Sequence, residues 1–206
     1  MEIADNVSAA IAEVREEWNK AEATMKIAEQ LNSEIIIPSV LELRYSGRKV
    51  IESLQLIEAE NSGKALVILR DALLDCYRAR HDALDAAISK MVSDLNNAKN
   101  YLGAKALLDH FPEYINLTTL LGDAQKQISK SRKNRDDRDA IYSTIESHDL
   151  VEILSLFRRF NASEPLLKEA AEEEKRKLHN SEKKATLSII AAVLAIAVAI
   201  LIALFK

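Results

Sequence analysis

Apolar residues recur every three or four positions along most of the chain, and this spacing predicts helices rather than strands. A first helix is predicted from about Ile3 to Leu31. Pro38 then suits the first turn of a second helix that ends near Glu60. The longest pattern follows and ends at Gly103, a residue type that commonly closes helices. The predicted buried seams are Val7, Ile11, Val14, Trp18, Ala21, Met25 and Ala28 in the first helix; Val40, Leu43, Gly47, Val50, Leu54 and Ile57 in the second; and Leu66, Leu69, Leu73, Cys76, Arg80, Leu84, Ala87, Met91, Leu95, Ala98 and Leu102 in the third.

Two residues interrupt these apolar seams. Gly47 costs about 1 kcal/mol relative to alanine inside a helix, so either a neighbouring backbone approaches closely there or the glycine is simply tolerated. Arg80 is expected to extend its charge into water along an apolar stem. The alternative for Arg80 is a specific charged contact within the bundle.

The pattern changes after Gly103 to shorter helical segments. Pro112 follows a break and opens a further helix. The basic stretch Lys126–Asp139 is predicted to be a solvated linker, with an exposed turn or a lipid-headgroup patch as alternatives. A helical pair is expected around a break at residues 147–149. Ser163 and Pro165 then suit the cap and first turn of a charged stalk helix.

Composition supports an all-α fold. The 206 residues include only 4 glycines and 3 prolines, and 48% are hydrophobic. The third predicted helix would be about 58 Å long at a rise of ~1.5 Å per residue, which is too long for a compact globule of this size. The sequence therefore predicts an elongated bundle of long antiparallel helices, followed by a charged stalk and one C-terminal transmembrane helix.

The transmembrane prediction rests on the segment from Ala185 to Lys206, which carries no charge before its last residue. About 21 apolar residues form a helix of roughly 31 Å, which matches the ~30 Å core of a bilayer. Basic residues near a span stay cytoplasmic. Those before the segment are Lys175, Arg176, Lys177, Lys183 and Lys184, and only Lys206 follows.

These observations predict a cytoplasmic helical bundle over residues 1–160, a juxtamembrane stalk over 161–184 and a tail anchor over 185–206. The N-terminal sequence has no secretory signal, and the single Cys76 is typical of a reducing compartment. We expect a single-pass protein, with the bacterial inner membrane as the favoured location and membrane lipid as a partner.

Small residues follow one stripe of the apolar segment: Ser188, Ala192, Ala195, Ala199 and Ala203. Such stripes let helices approach closely in lipid and favour self-association, so a homo-oligomer is predicted. The alternative is that alanine is simply common in moderately hydrophobic anchors.

A second candidate for binding is the group Arg44, Tyr45 and Arg48 in the second predicted helix. The two arginines are one helical turn apart and flank a tyrosine, which suits a partner surface or an anion. Ion pairing with Glu42 and Glu52 is the alternative.

No catalytic motif was found, and we expect no enzyme activity, cofactor or metal. A net charge of −4 disfavours nucleic acid as a partner. The acids of the third helix, with His81, could hold a divalent cation, but interspersed arginines favour a charge-compensated outer face. This acidic group is Asp71, Asp75, His81, Asp82 and Asp85.

Two classes of function follow. The first is a membrane scaffold or adaptor whose helical domain oligomerises or binds a cytosolic protein. The second is a membrane-perturbing or pore-forming effector, like the small single-span helical proteins of bacterial defence systems in general plan.

Overall fold

The structure, a computed structural model, describes residues 2–134 and 137–204, with side chains described for residues 6–134, 137–192 and 194. The described residues form helices joined by short turns, which confirms the all-α fold. The helices are α1 (Glu2–Asn32), α2 (Ile37–Glu58), α3 (Ser62–Leu102), α4 (Ala104–His110), α5 (Tyr114–Lys133), α6 (Arg138–Thr144) and α7 (Leu150–Leu204), with a π-helical segment at Ile145–Asp149 between α6 and α7.

The chain divides into two compact units. The first contains Met1–Asn97 and Ile115–Arg158, and the second contains Ala98–Tyr114 and Arg159–Lys206. The helices α3 and α7 each contribute residues to both units. In the second unit, buried Leu107, Leu167 and Ala171 accompany an edge-on contact of the Phe111 and Phe160 rings, whose centroids are 5.6 Å apart.

The core of the first unit confirms the seams predicted for α1 and α3. Val14 and Ala21 of α1 pack with the predicted Leu69 and Cys76 of α3 in one hydrophobic cluster, which also contains Ala72 and Ala79 from beside the predicted seam. Alanines at these contact positions are almost completely buried, which lets helix backbones approach closely. The sequence period therefore located the inward faces of both long helices correctly.

The buried face of α2 differs from the prediction. Ser39, Ser46 and Ser53 are completely buried, whereas Val40 and Leu54 are 39% and 47% exposed. Serines occupy little space between helices. The Ser46 Oγ lies 3.1 Å from Cys76 Sγ and the Ser53 hydroxyl donates to the Val50 carbonyl, whereas the buried Ser39 hydroxyl has no hydrogen-bond partner among the described residues. The predicted Leu43 is buried and Val50 and Ile57 pack against the core, but serines take the inward positions expected for Val40 and Leu54, which leaves apolar side chains on the outer side of α2.

Gly47 and Gly103 have different roles. A Cβ added at Gly47 would lie 3.4 Å from the ring of Trp18, so the close neighbour is a side chain and not a backbone. Gly103 has φ +84° between α3 and α4, a conformation that glycine adopts without strain. This confirms the predicted helix end at Gly103.

One predicted break is right only in part and two are wrong. The segment Lys126–Lys133 belongs to α5 and is not a linker, but α5 ends at Lys133 and α6 begins at Arg138, within the same basic stretch. The break at residues 147–149 is replaced by the π-helical segment, through which the backbone continues into α7. Pro165 lies inside α7, and the Ser163 hydroxyl donates to the Arg159 carbonyl instead of capping a new helix. A proline inside a helix costs a backbone hydrogen bond, and the burial of Leu167 and Ala171 in the following turns offsets this cost.

The backbone of α7 continues through Asn180 to Leu204 without a break. Within the described residues, no helix combines the length and the apolar character needed to cross a membrane. The side chains of 193 and 195–204, and residues 205 and 206 entirely, lie outside the described residues. Most of the predicted transmembrane segment is therefore not described at the level of side chains.

Candidate functional site

The outward side of α2 carries the sequence-predicted residues Arg44, Tyr45 and Arg48. We define the outer face of α2 as Ile37, Leu41, Arg44, Tyr45, Arg48 and Ile51. Ile37 is 64% exposed, Tyr45 is 48% exposed and Ile51 is 62% exposed. These residues lie outward because the opposite side of the helix, with its serines, packs into the first unit.

The two arginines of this face carry charges that nothing in the described structure neutralises. Both side chains are exposed, and neither guanidinium forms an ion pair with a described residue, Glu42 and Glu52 included. An apolar surface with two unpaired cations is suited to a partner that supplies apolar side chains and carboxylates.

A polar groove lies beside the outer face, between α2 and α3. It encloses about 440 Å³ and is lined by Glu42, Tyr45, Arg48, Lys49, Glu52, Asp75 and Arg78. At its floor the buried carboxylate of Asp75 lies 2.8 Å from Lys49 Nζ and 2.8 Å from Arg78 Nη1. Burial and the nearby Asp75 carboxylate raise the pKa of Glu42. The groove contains Tyr45 and Arg48, whereas Arg44 is not part of its lining.

Arg80 forms the centre of a buried ion network, so the expectation that it reaches water is wrong. Only 4% of its side chain is exposed. Its Nε lies 2.8 Å from Glu17 Oε1 on α1, and its Nη1 lies 3.4 Å from Glu146 Oε2 in the π-helical segment. The Thr24 hydroxyl donates to the same Glu146 carboxylate. Arg80 thus joins three elements of the first unit through charge.

A second polar group lies next to this network. The ring of His81 stacks on Tyr142 with a centroid distance of 3.9 Å, and its Nε2 lies 3.0 Å from Asp139 Oδ1. The Tyr142 hydroxyl donates to Asp85 over 2.7 Å, and Arg132 Nη2 donates to the other oxygen of Asp85 over 2.9 Å. Burial and the bond to Asp85 raise the pKa of Tyr142 to about 12. These contacts hold α5 and α6 on α3.

Two acids of the candidate group on α3, Asp75 and Asp85, are paired with cations. Among the described residues, no three or more histidine, cysteine or acidic side chains are arranged to hold a metal ion. Asp75 and Asp85 instead face cations from other elements or turns. The interpretation of this group as an outer face is wrong for Asp75 and His81, which are 2% exposed. Sequence spacing missed Glu17, Asp139, Tyr142 and Glu146, since their partners are distant along the chain.

A second cavity lies between α3 and α6. It also encloses about 440 Å³ and is lined by Leu74, Tyr77, Arg78, His81, Arg138 and Asp139. The Nδ1 atom of His81 and the Nε atom of Arg138 are buried there without a hydrogen-bond partner in the described part of the chain. Its lining combines the two cations Arg78 and Arg138 with the single carboxylate of Asp139.

Acidification is expected to destabilise the protein through His81. Burial, together with the Arg138 and Arg80 cations, lowers the pKa of His81 to about 3. An unfolded histidine titrates near pH ~6.5, so between these values the unfolded chain binds a proton that the folded chain excludes. The free energy of unfolding should therefore be constant above about pH 6.5 and decrease below it. Urea unfolding should show a loss about 2 kcal/mol larger in the wild type than in His81→Gln between about pH 7 and pH 4.5.

The comparison with His81→Gln isolates the histidine from the acids around it. Burial raises the pKa of Glu17, Asp82 and Asp139, and each of these groups favours the folded state as the pH falls. Both proteins retain these acids, so their contribution cancels in the difference. Equal losses in the two proteins would mean that Asp139 compensates the charge of protonated His81.

The membrane self-association residues are only partly described. Ser188 and Ala192 are exposed on α7, whereas the side chains of Ala195, Ala199 and Ala203 lie outside the described residues.

Comparisons with protein-family models, with curated proteins and with solved structures found no match to this chain.

Proposed function

We propose that this protein is a membrane-anchored, self-associating scaffold or adaptor that presents a helical interaction domain at the cytoplasmic membrane surface. Residues 185–205 would lie in the bilayer as a transmembrane helix, and residues 1–184 would remain on the cytoplasmic side. In this proposal the outer face of α2 is the surface that binds protein partners.

The observation that carries the proposal is the uncharged segment Ala185–Phe205 at the end of a helix that is continuous from Leu150 to Leu204. A continuous helix leaves few backbone groups unpaired, as a lipid environment requires. The five basic residues at positions 175–184 favour a cytoplasmic location for the residues before the segment. The unpaired Arg44 and Arg48 among exposed apolar side chains support a binding role for the outer face of α2.

The anchor is tested by placing charges in the middle of the apolar segment. An arginine at the centre of a membrane helix costs about 2.5–3.5 kcal/mol on insertion. We expect the full chain to remain in the membrane pellet after alkaline extraction, and Leu194→Arg/Val198→Arg to move largely into the supernatant. The matched control Leu194→Ile/Val198→Leu keeps the segment apolar and should pellet like the wild type. A wild type found in the supernatant would exclude the anchor.

The small-residue stripe favours a second candidate, a membrane-perturbing effector assembled through its transmembrane helices. In this case purified protein would release a trapped dye from liposomes. Ala195→Leu/Ala199→Leu, which fills the small-residue stripe with larger side chains, should then abolish release, whereas Val193→Leu on another face should not. Membrane insertion without release would favour the scaffold.

A further inference from the structure

We infer that the outer face of α2 binds the acidic face of α7 in a second copy of this chain. The acidic face of α7 is defined as Leu166, Glu169 and Glu173. This inference rests on the proposed self-association and names the surfaces that produce it outside the membrane.

The first surface exists because α2 is turned with its serines inward. Leu41 is 38% exposed and Ile51 is 62% exposed, on the same side as Arg44 and Arg48. Exposed apolar area of this kind is unfavourable in water, so covering it with a partner surface lowers the free energy of the complex. The two unpaired guanidinium groups mean that a covering surface must also carry negative charge.

The acidic face of α7 has this chemistry. Leu166 is 68% exposed, and Glu169 and Glu173 are exposed on the same side of the helix. The carboxylate of Glu169 forms no ion pair with a described residue, and Glu173 lies 2.7 Å from Lys177 Nζ. Lys177 lowers the pKa of Glu173, which keeps this carboxylate ionised. The opposite side of this stretch, with Leu167 and Ala171, is buried, so the acidic face is directed to solvent.

The two faces also match in spacing. Leu41, Arg44 and Arg48 follow one another at intervals of three and four residues, and so do Leu166, Glu169 and Glu173. Each charged pair therefore spans about 6 Å along its helix axis at ~1.5 Å per residue. Two helices in contact can therefore align both arginines with both glutamates. Leu166 then makes the apolar contact with Leu41 or Ile51. The ion pairs at such a rim contribute little affinity but select the partner and its register.

A symmetric contact between two α2 outer faces is less favourable. It would place Arg44 and Arg48 of one copy near the same residues of the other, and like charges repel. The contact of α2 with α7 is instead heterologous, because the outer face of α2 in one copy binds a different surface, the acidic face of α7, in the next copy. Such contacts produce rings or open chains of copies.

The inference is tested by exchanging the charges in the full chain in detergent and measuring its mass by light scattering. Arg44→Glu/Arg48→Glu and Glu169→Lys/Glu173→Lys should each lower the mass of the oligomer at least twofold. The fourfold variant, which carries both exchanges, should recover the wild-type mass. An equimolar mixture of the two double variants should also recover it, since their altered surfaces complement each other. Arg15→Glu/Arg70→Glu changes the net charge equally at other exposed positions and should have no effect.

The outcomes separate this inference from the proposed self-association. If the wild type is an oligomer and both double variants keep its mass, the inference is overturned while self-association stands. If only the α2 variant lowers the mass, α2 binds a different surface and the inference is also overturned. A monomeric wild type would overturn the proposed self-association and the inference together. Thermal unfolding of each variant should match the wild type, because all exchanged residues are exposed.

Discussion

Replacing Arg80 by alanine is expected to lower the free energy of unfolding by about 3–5 kcal/mol. The substitution leaves the buried carboxylate of Glu17 and the partly buried carboxylate of Glu146, which is 20% exposed, without the cation that both contact. Burial already raises the pKa of Glu17, and loss of Arg80 removes the largest opposing influence. Urea unfolding followed by circular dichroism measures the loss. The loss should be smaller at mildly acidic pH, where the Glu17 carboxylate, whose pKa is raised by burial, takes up a proton.

Two further variants separate charge from packing at Arg80. Arg78→Ala removes an arginine that is 54% exposed and should cost less than about 1 kcal/mol. The double variant Glu17→Gln/Arg80→Met replaces the ion pair by neutral side chains and should recover a large part of the loss. A loss at Arg80→Ala no greater than that at Arg78→Ala would mean that water reaches and stabilises the two carboxylates.

Replacing Tyr142 by alanine is expected to cost about 3–5 kcal/mol, as other large aromatic truncations in cores do. Tyr142 is completely buried, its ring stacks on His81, and its hydroxyl donates to Asp85. Tyr142→Phe keeps the ring and removes only the donor. Because Arg132 still contacts Asp85, this variant should cost about 1–2 kcal/mol. The difference between the two variants, measured by urea unfolding, reports the packing of the ring.

Tyr45→Ala is the matched control for Tyr142. Tyr45 is 48% exposed on the outer face of α2, and its truncation should change stability by no more than about 0.5 kcal/mol. If Tyr142→Ala were equally mild, α6 would not be held on α3 by this side chain. If Tyr45→Ala were strongly destabilising, the outer face of α2 would be part of the core, and its role in binding would be excluded.

The helices could be predicted from the sequence because their physical causes are local. Apolar residues at intervals of three and four define the inward sides of α1 and α3, and both patterns persist over many turns. Pro38 marks the start of α2 because its ring fixes one backbone angle near the helical value. Gly103 marks the end of α3 because glycine adopts backbone angles that other residues rarely reach. The candidate binding group Arg44, Tyr45 and Arg48 was also visible, since helical spacing alone brings it to one side.

The remaining features depend on neighbours that are distant in the chain. Serines face the core from α2 because Cys76 and close helix packing accept them, so hydrophobicity alone wrongly placed Val40 and Leu54 on the buried side. Arg80 is buried because Glu17 and Glu146, at positions far from it in sequence, supply its counter-charges. The period and composition of a segment establish that it is helical, whereas the partners of each face establish which side is buried and which polar residues are neutralised inside.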